Sequence, residues 1–148
     1  MAGNATPIFS KNGRLESVIV TAANTSSQGG GTIATDIFKA ATADATNGSF
    51  VEYVRWIATA TTPTNTTATV GRVYISSVTS GATTSANTIL VAEVALPVVA
   101  ADNATTAGNA IDIALNLRVP AGYTVLATNH AAPAANTGWR LVVPIADY

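Results

Sequence analysis

The sequence predicts an all-β protein: an antiparallel β-sandwich, jelly-roll-like, of about eight strands, with an extended N-terminal arm. Polar, Gly-containing stretches divide the 148-residue chain at short, even intervals, a pattern typical of sandwiches and barrels. The segments between them are rich in Val, Ile, Thr, Tyr and Trp, which favour a pleated, half-buried surface. The predicted strands are 14–23, 33–41, 50–60, 69–78, 88–96, 110–119, 123–130 and 138–146.

The first residues are predicted to lie outside the sandwich. Glycine and proline punctuate residues 1–13, which form the predicted arm, and residues 14–148 form a single β-sandwich domain. Arms of this kind often order only when they pack on a neighbour. The residues expected to contact a partner in and beside the arm are Ile8, Phe9, Lys11 and Arg14.

Two predicted strands alternate cleanly between apolar and polar side chains. In 111–119 and in 138–146, the odd positions are all large and apolar. Such alternation indicates antiparallel strands with one face on the core. Segment 50–60 is apolar on both sides, so it is either a central strand covered on both faces or a strand that faces a partner subunit. In the second case, Tyr53 and Trp56 are expected contact residues.

One segment has a helical alternative. Residues 34–45 read ATDIFKAATADA, and Ile37, Ala40 and Ala41 would share one face of a short helix. The same stretch overlaps the predicted strand 33–41, and the sequence favours the strand.

Residues 116–130, NLRVPAGYTVLATNH, are interpreted as a β-hairpin. Pro120 fixes φ at the first loop position, and Gly122 can take the left-handed conformation that closes a three-residue turn. This geometry sets a register in which Val119 faces Tyr123.

The same register pairs Asp112 with His130, the one histidine of the chain. An aspartate facing a histidine can orient an imidazole, as in hydrolytic triads. A triad also needs an activated nucleophile, and the sequence has no Gly-x-Ser-x-Gly elbow. The favoured interpretation is a cross-strand ion pair or hydrogen bond, with no catalytic residues and no enzymatic activity.

Composition narrows the function classes. Only 10% of the residues are charged, against roughly 25% in an ordinary soluble domain. A surface of Thr, Ser, Asn and Ala is easily buried against a neighbour because few ions must be desolvated. The net charge is −1 with no basic cluster, so nucleic-acid binding is not expected.

Metal, cofactor and membrane functions are not expected either. The chain has no cysteine, which removes thiolate nucleophiles and Cys-based metal sites. A single histidine cannot form a His cluster within one subunit. The longest apolar run is interrupted by Glu93 and Pro97 and is too short to span a bilayer.

Aromatic residues allow one binding function to be considered. Flat rings with polar tips can form a sugar-binding platform. In a sandwich, such residues are more often part of the core or of a subunit interface, and that interpretation is favoured. The residues concerned are Tyr53, Trp56, Tyr74, Tyr123 and Trp139.

The end of the chain carries a recognisable pattern. A Val-Pro-Ala-Gly-Tyr turn at 119–123 is followed by Gly138-Trp139 and by Asp147-Tyr148 at the end. This pattern resembles small head proteins encoded in the structural modules of tailed bacteriophages. The resemblance covers about the last third of the chain, and the low-charge, Thr- and Ala-rich body and the MAGNATPIF start also look like phage virion components.

The resemblance implies a capsid decoration, or cement, protein. Such proteins are β-sandwich or jelly-roll modules, often trimeric, that sit over junctions between major capsid protein subunits and hold the expanded shell against internal DNA pressure. It therefore implies a homo-trimeric structural protein of the virion, made in the bacterial host cytoplasm and bound to the capsid surface, with no cofactor. The alternative is a phage fibre or a receptor- or carbohydrate-binding β-sandwich module.

Overall fold

A computed structural model describes residues 10–101 and 109–148. Ile8 and Phe9, the predicted contact residues of the arm, lie outside the described residues. The described part of the chain contains strands and no helix, so it has no helix long and apolar enough to cross a membrane.

The described residues form eight longer strands and four two-residue strands. In chain order they are β1 Asn12–Val20, β2 Gly31–Thr32, β3 Phe38–Thr42, β4 Ser49–Ala60, β5 Thr64–Asn65, β6 Thr69–Ser76, β7 Ala82–Thr83, β8 Thr88–Leu96, β9 Ala100–Ala101, β10 Ala110–Val119, β11 Thr124–Asn129 and β12 Thr137–Asp147. The longer strands correspond to the eight predicted segments. The total exceeds the prediction because the two-residue strands lie in stretches interpreted as loops or at their edges.

The all-β sandwich prediction is confirmed, and the strand order is that of a jelly roll. Sheet A has the order β1-β12-β4-β10, and sheet B has the order β3-β11-β6-β8. Among the longer strands the antiparallel pairs are nested: β1 with β12, β3 with β11, β4 with β10, and β6 with β8. One long ribbon of four nested pairs, wrapped into two facing sheets, gives this arrangement.

The segment for which a helix was the alternative contains strand β3. The strand begins only at Phe38 because the residues before it form a turn. In that turn, the backbone N–H of Thr32 donates to Asp36 Oδ1 at 2.6 Å.

The predicted hairpin is wrong in its pairing. Strand β10 belongs to sheet A and β11 to sheet B, so the intervening turn carries the chain from one sheet to the other. Val119 pairs with Ser49, and not with Tyr123. The turn itself retains its predicted glycine: Gly122 has φ +73°. It is shifted by one residue, because the Tyr123 N–H donates to the Pro120 carbonyl at 3.1 Å.

The core lies between the two sheets. Its largest fully buried side chains are Trp56 of β4 and Trp139 of β12, and the clean alternation of β12 directs Leu141, Val143 and Ile145 to the same interior. The sandwich begins slightly earlier than predicted. Asn12 and Gly13, placed in the arm by sequence, pair with the end of β12.

Candidate interaction surfaces

The predicted Asp112–His130 pair does not exist. Asp112 lies on the outer face of β10 opposite Arg55, whose Nε and Nη2 donate to its two carboxylate oxygens at 2.6 and 2.7 Å. This hydrogen bonding holds the pKa of Asp112 below its usual value. His130 follows β11 in the other sheet and is exposed. The described residues contain no group of three or more His, Asp or Glu side chains placed to hold a metal ion.

Trp56 cannot serve as a contact residue, because its side chain is completely buried. The error arose because the segment is apolar on both faces, which left open whether it faces the core or a partner. Val54, Trp56 and Ala58 alternate regularly toward the core. Nearer the start of β4, both neighbouring pairings shift between Phe50 and Arg55, and Phe50 stays partly exposed.

The aromatic residues considered for a sugar-binding platform lie mainly in or against the core, one of the two positions that the sequence favoured. Trp139, like Trp56, is buried, and Tyr74 is buried with its Oη donating to the Ser26 carbonyl at 3.0 Å. Tyr123 is half-buried against the core. Tyr53 remains partly exposed, with the Arg55 guanidinium carbon 5.9 Å from its ring centroid.

Arg14 has a structural role. Its Nε and Nη2 donate to the Asp147 carboxylate at 2.7 and 2.8 Å, it forms an ion pair with Glu16, and Nη2 also donates to the Thr42 carbonyl at 2.8 Å. The last bond joins β1 to β3 and so fastens the two sheets along one side. The guanidinium is thus occupied within the chain, but the side chain is 35% exposed, so its predicted role as a partner contact stays a prediction. Lys11, at the base of the arm, is exposed.

The carboxylate of Asp147 also accepts a hydrogen bond from Ser49 Oγ at 2.5 Å. The hydrogen bond from Arg14 is the largest cause that lowers the pKa of Asp147, and the bond from Ser49 acts in the same direction. Asp147, in the Asp-Tyr pair noted in the sequence, therefore supplies the anion that holds Arg14 on the side of the sandwich where β1 meets β3.

The outer face of sheet B is covered by the chain itself. The connection at 21–37 lies over it, and Ile37 forms a second apolar cluster with Tyr74 and Leu126, all fully buried. Because the core lies on the other side, every residue of β11 is buried.

Polar contacts fasten this cover. Arg72, on the same face and 7% exposed, donates through Nη1 to the Asn24 carbonyl at 3.4 Å. Its Nε donates to Glu93 Oε2 at 2.7 Å. Burial of Arg72 is therefore compensated by a carboxylate, as buried cations require.

The outer face of sheet A has no such cover in the part of the chain that the structure describes. Pairing and alternation direct apolar side chains of β1, β12 and β4 outward, and each remains partly or largely exposed. Leu15 is 74% exposed. We call this surface the open face; its apolar members are Leu15, Ile19, Phe50, Tyr53, Ile57, Val142, Pro144 and Ala146.

Two shallow grooves cross the open face. One, of about 390 Å³, is lined by Leu15, Phe50, Glu52 and Pro144, among others, beside the base of the arm. The second, of about 490 Å³, lies at the opposite end, near Ile19 and Arg140, among others.

The open face carries few charges. Arg55 and Asp112 neutralise one another. Arg140 donates to Ser17 Oγ at 2.9 Å, and neither Arg140 nor Glu52 forms an ion pair with another described residue. The surface is therefore largely apolar; its described charges without an ion-pair partner are Glu52, Arg140 and Arg118, which lies opposite Phe50 at the end of β10.

Sequence reasoning missed Leu15 and Ile89, which are 74% and 66% exposed. Leu15 stands between Arg14 and Glu16, and the sequence does not reveal that the two charges lie on the inner side of this strand and Leu15 on the outer side. Ile89 begins the apolar run ILVA, and its exposure depends on β8 being the edge of sheet B.

A scan against protein-family models, a search of curated proteins and a search of solved structures each found no match to this chain.

Proposed function

We propose that this protein decorates and stabilises a tailed-bacteriophage capsid as a homo-trimer that binds major capsid protein subunits. The observation that carries the proposal is the open face: a largely apolar, low-charge surface on a rigid jelly roll, beside the base of the arm. A decoration protein needs a rigid module and a surface for the shell, and it needs no active site. The protein acts on the capsid surface after synthesis in the host cytoplasm.

The chemistry of the open face supports docking on a protein shell. Burying it requires little desolvation of ions, because Arg55 and Asp112 already neutralise each other. The remaining charges without an ion-pair partner, Glu52, Arg140 and Arg118, can select the orientation of the partner, since charged groups contribute more to specificity than to affinity. Many copies on one shell convert modest contacts into firm attachment.

The alternative, a fibre or carbohydrate-binding module, depended on exposed indole rings. Trp56 and Trp139 are both buried, so the observation that would favour this alternative is missing. The open face is also aliphatic over most of its area, whereas sugar sites use aromatic rings with converging polar groups.

Co-sedimentation with phage heads tests the proposal. Expanded heads that lack this protein should bind the purified chain to a fixed number of copies per head. Leu15→Arg, which places a charge on the open face, should weaken binding at least about tenfold. Because Leu15 is largely exposed, the substitution should change the unfolding free energy of the protein by no more than about 0.5 kcal/mol.

The matched control is Val98→Arg. Val98 is 55% exposed in the loop after β8, away from the open face, and its substitution should leave head binding unchanged. Equal losses for the two variants would overturn the assignment of the open face. A protein that fails to bind heads, or that is found only on tails or fibres, would overturn the proposed function.

A further inference from the structure

The two sides of the sandwich, where the edge strands of the sheets meet, are built differently. On one side, β1 and β3 are joined by the Arg14–Thr42 hydrogen bond and by packing. On the other side, β8 and β10 approach each other at only a few positions. No hydrogen bond or ion pair links them within residues 10–101 and 109–148.

The second side leaves core-facing side chains partly uncovered. The inward residues of β10 are half-buried along most of the strand, whereas the inward residues of β4, its neighbour, and of β12 are buried. On β8, Ile89 pairs with the core residue Ile75 but is 66% exposed. We call this surface the open seam; it consists of Ile89, Val91, Val94, Ile111, Ile113 and Leu115.

The open seam contains no ionisable residue, and the carboxylates flanking it are neutralised within the chain. Glu93 is paired with Arg72, and Asp112 is paired with Arg55. At the end of β10, Arg118 is directed to the Asn47 carbonyl and the ring of Tyr148. A complementary partner must therefore be apolar and neutral, which is also the chemistry of the seam on a second copy of this chain.

Both edge strands also carry register shifts, one in the β4–β10 pair and one in the β6–β8 pair. Such irregularities bend an edge and discourage open-ended addition of strands. They favour a contact made by side chains, which can close on itself without propagating into a fibre.

We propose that the open seam is the contact through which copies of this chain assemble, with the β8 side of one copy packed against the β10 side of the next. This inference rests on the proposed function in one respect: it assigns the contact of the proposed trimer. A contact of β8 with β10 that is not reciprocated between the same two copies is heterologous, and a heterologous contact of suitable rotation closes into a ring. The seam lies on the side of the sandwich, so the open face stays free for the shell.

Mass measurement in solution tests this assignment. Sedimentation of the full chain, up to about 0.1 mM, should give three times the monomer mass of 14.9 kDa. Ile89→Arg should raise the dissociation constant at least about tenfold, because it places an unpaired charge in an apolar contact. Leu15→Arg makes a similar substitution at an equally exposed site across the sandwich and should retain the assembled mass.

A second measurement tests the seam without the Ile89→Arg variant, in case that variant does not fold. The chain has no cysteine, so Ile89→Cys and Leu15→Cys each introduce a single thiol. Assembly should slow thiol labelling at position 89 as protein concentration rises, and should leave labelling at position 15 unchanged. Equal behaviour at the two positions would overturn the seam assignment.

The two proposals fail in different ways. Heads that bind a wild-type chain which is monomeric in solution at every concentration would overturn the seam assignment and leave the proposed function standing. A chain that assembles through Ile89 but does not bind heads would support the seam and overturn the proposed function. An assembled mass retained by Ile89→Arg, or lost by Leu15→Arg, would also overturn the seam.

Discussion

The two outer faces of this sandwich both carry apolar side chains, but the described part of the chain covers only one of them. The outer face of sheet B is covered by the chain's own residues 21–37, and its central strands are buried on both sides. The outer face of sheet A retains partly exposed apolar side chains, including Leu15. The difference shows what a cover does for a sheet: it turns an apolar face into a second small core. On sheet A, residues 10–101 and 109–148 provide no such cover.

The same contrast holds for the charged side chains. On the covered face, Arg72 is buried and is held by Glu93 and the Asn24 carbonyl. On the open face, Arg55 and Asp112 form a bidentate pair in which both side chains remain substantially exposed. Exposed pairs contribute little to stability because water and salt screen them, whereas a buried cation is costly once its partner is removed.

The largest expected effect is on the apolar part of the cover. Ile37→Ala should lower the unfolding free energy by about 3 kcal/mol, because it leaves a cavity among fully buried side chains. Ile57→Ala, the matched change on the open face, should cost about 1 kcal/mol because Ile57 is only partly buried. Urea unfolding of both variants measures the difference. Similar losses would mean that residues 21–37 add no second core.

A smaller effect is expected for the ion pair beneath the cover. Glu93→Gln leaves the buried guanidinium of Arg72 without its carboxylate and should cost about 2 kcal/mol. The control is Asp112→Asn on the open face, which should cost clearly less, since its pair with Arg55 is exposed. Thermal and urea unfolding at neutral pH measure both. If Asp112→Asn proves the more damaging, the contrast between the two faces is wrong.

The smallest expected effect is on the stability of the folded protein at acidic pH. Arg14 holds the pKa of folded Asp147 below its unfolded value, so the carboxylate contributes stability above the unfolded pKa of about 3.9. That contribution is lost as pH falls through the lower folded pKa. Asp147→Asn should therefore be less stable than wild type at neutral pH, and the gap should narrow as pH falls below 4. Urea midpoints from pH 7 to pH 2.5 measure the gap; a constant gap would refute the linkage.

Much of the fold was predictable from local pattern. Polar, Gly-containing loops separate the strands because turns need such residues, and the alternation in β10 and β12 reveals which side chains face the core. Which strands pair with each other was harder to predict. Alternation identifies the buried face of β10 but not its neighbour, and Pro120 and Gly122 suit a turn between sheets as well as a hairpin. The pairing of Asp112 with His130 failed for this reason.

The surfaces were harder to predict than the strands. Trp56 was misplaced because β4 is apolar on both faces, so its sequence does not reveal which face meets the core. Arg14 reads as a surface charge, yet it binds Asp147, which is 133 residues away in sequence, a contact that no local pattern reveals. The open seam depends on which strands form the edges of the sheets, and that is a property of the topology.

Imaging of heads decorated with this protein tests the central claim most directly, because it shows which outer face meets the shell. The account predicts that the open face of sheet A, with Leu15 and Pro144, contacts the major capsid protein, and that residues 21–37 over sheet B point to solvent. Density in which residues 21–37 contact the shell while the open face points outward would contradict it.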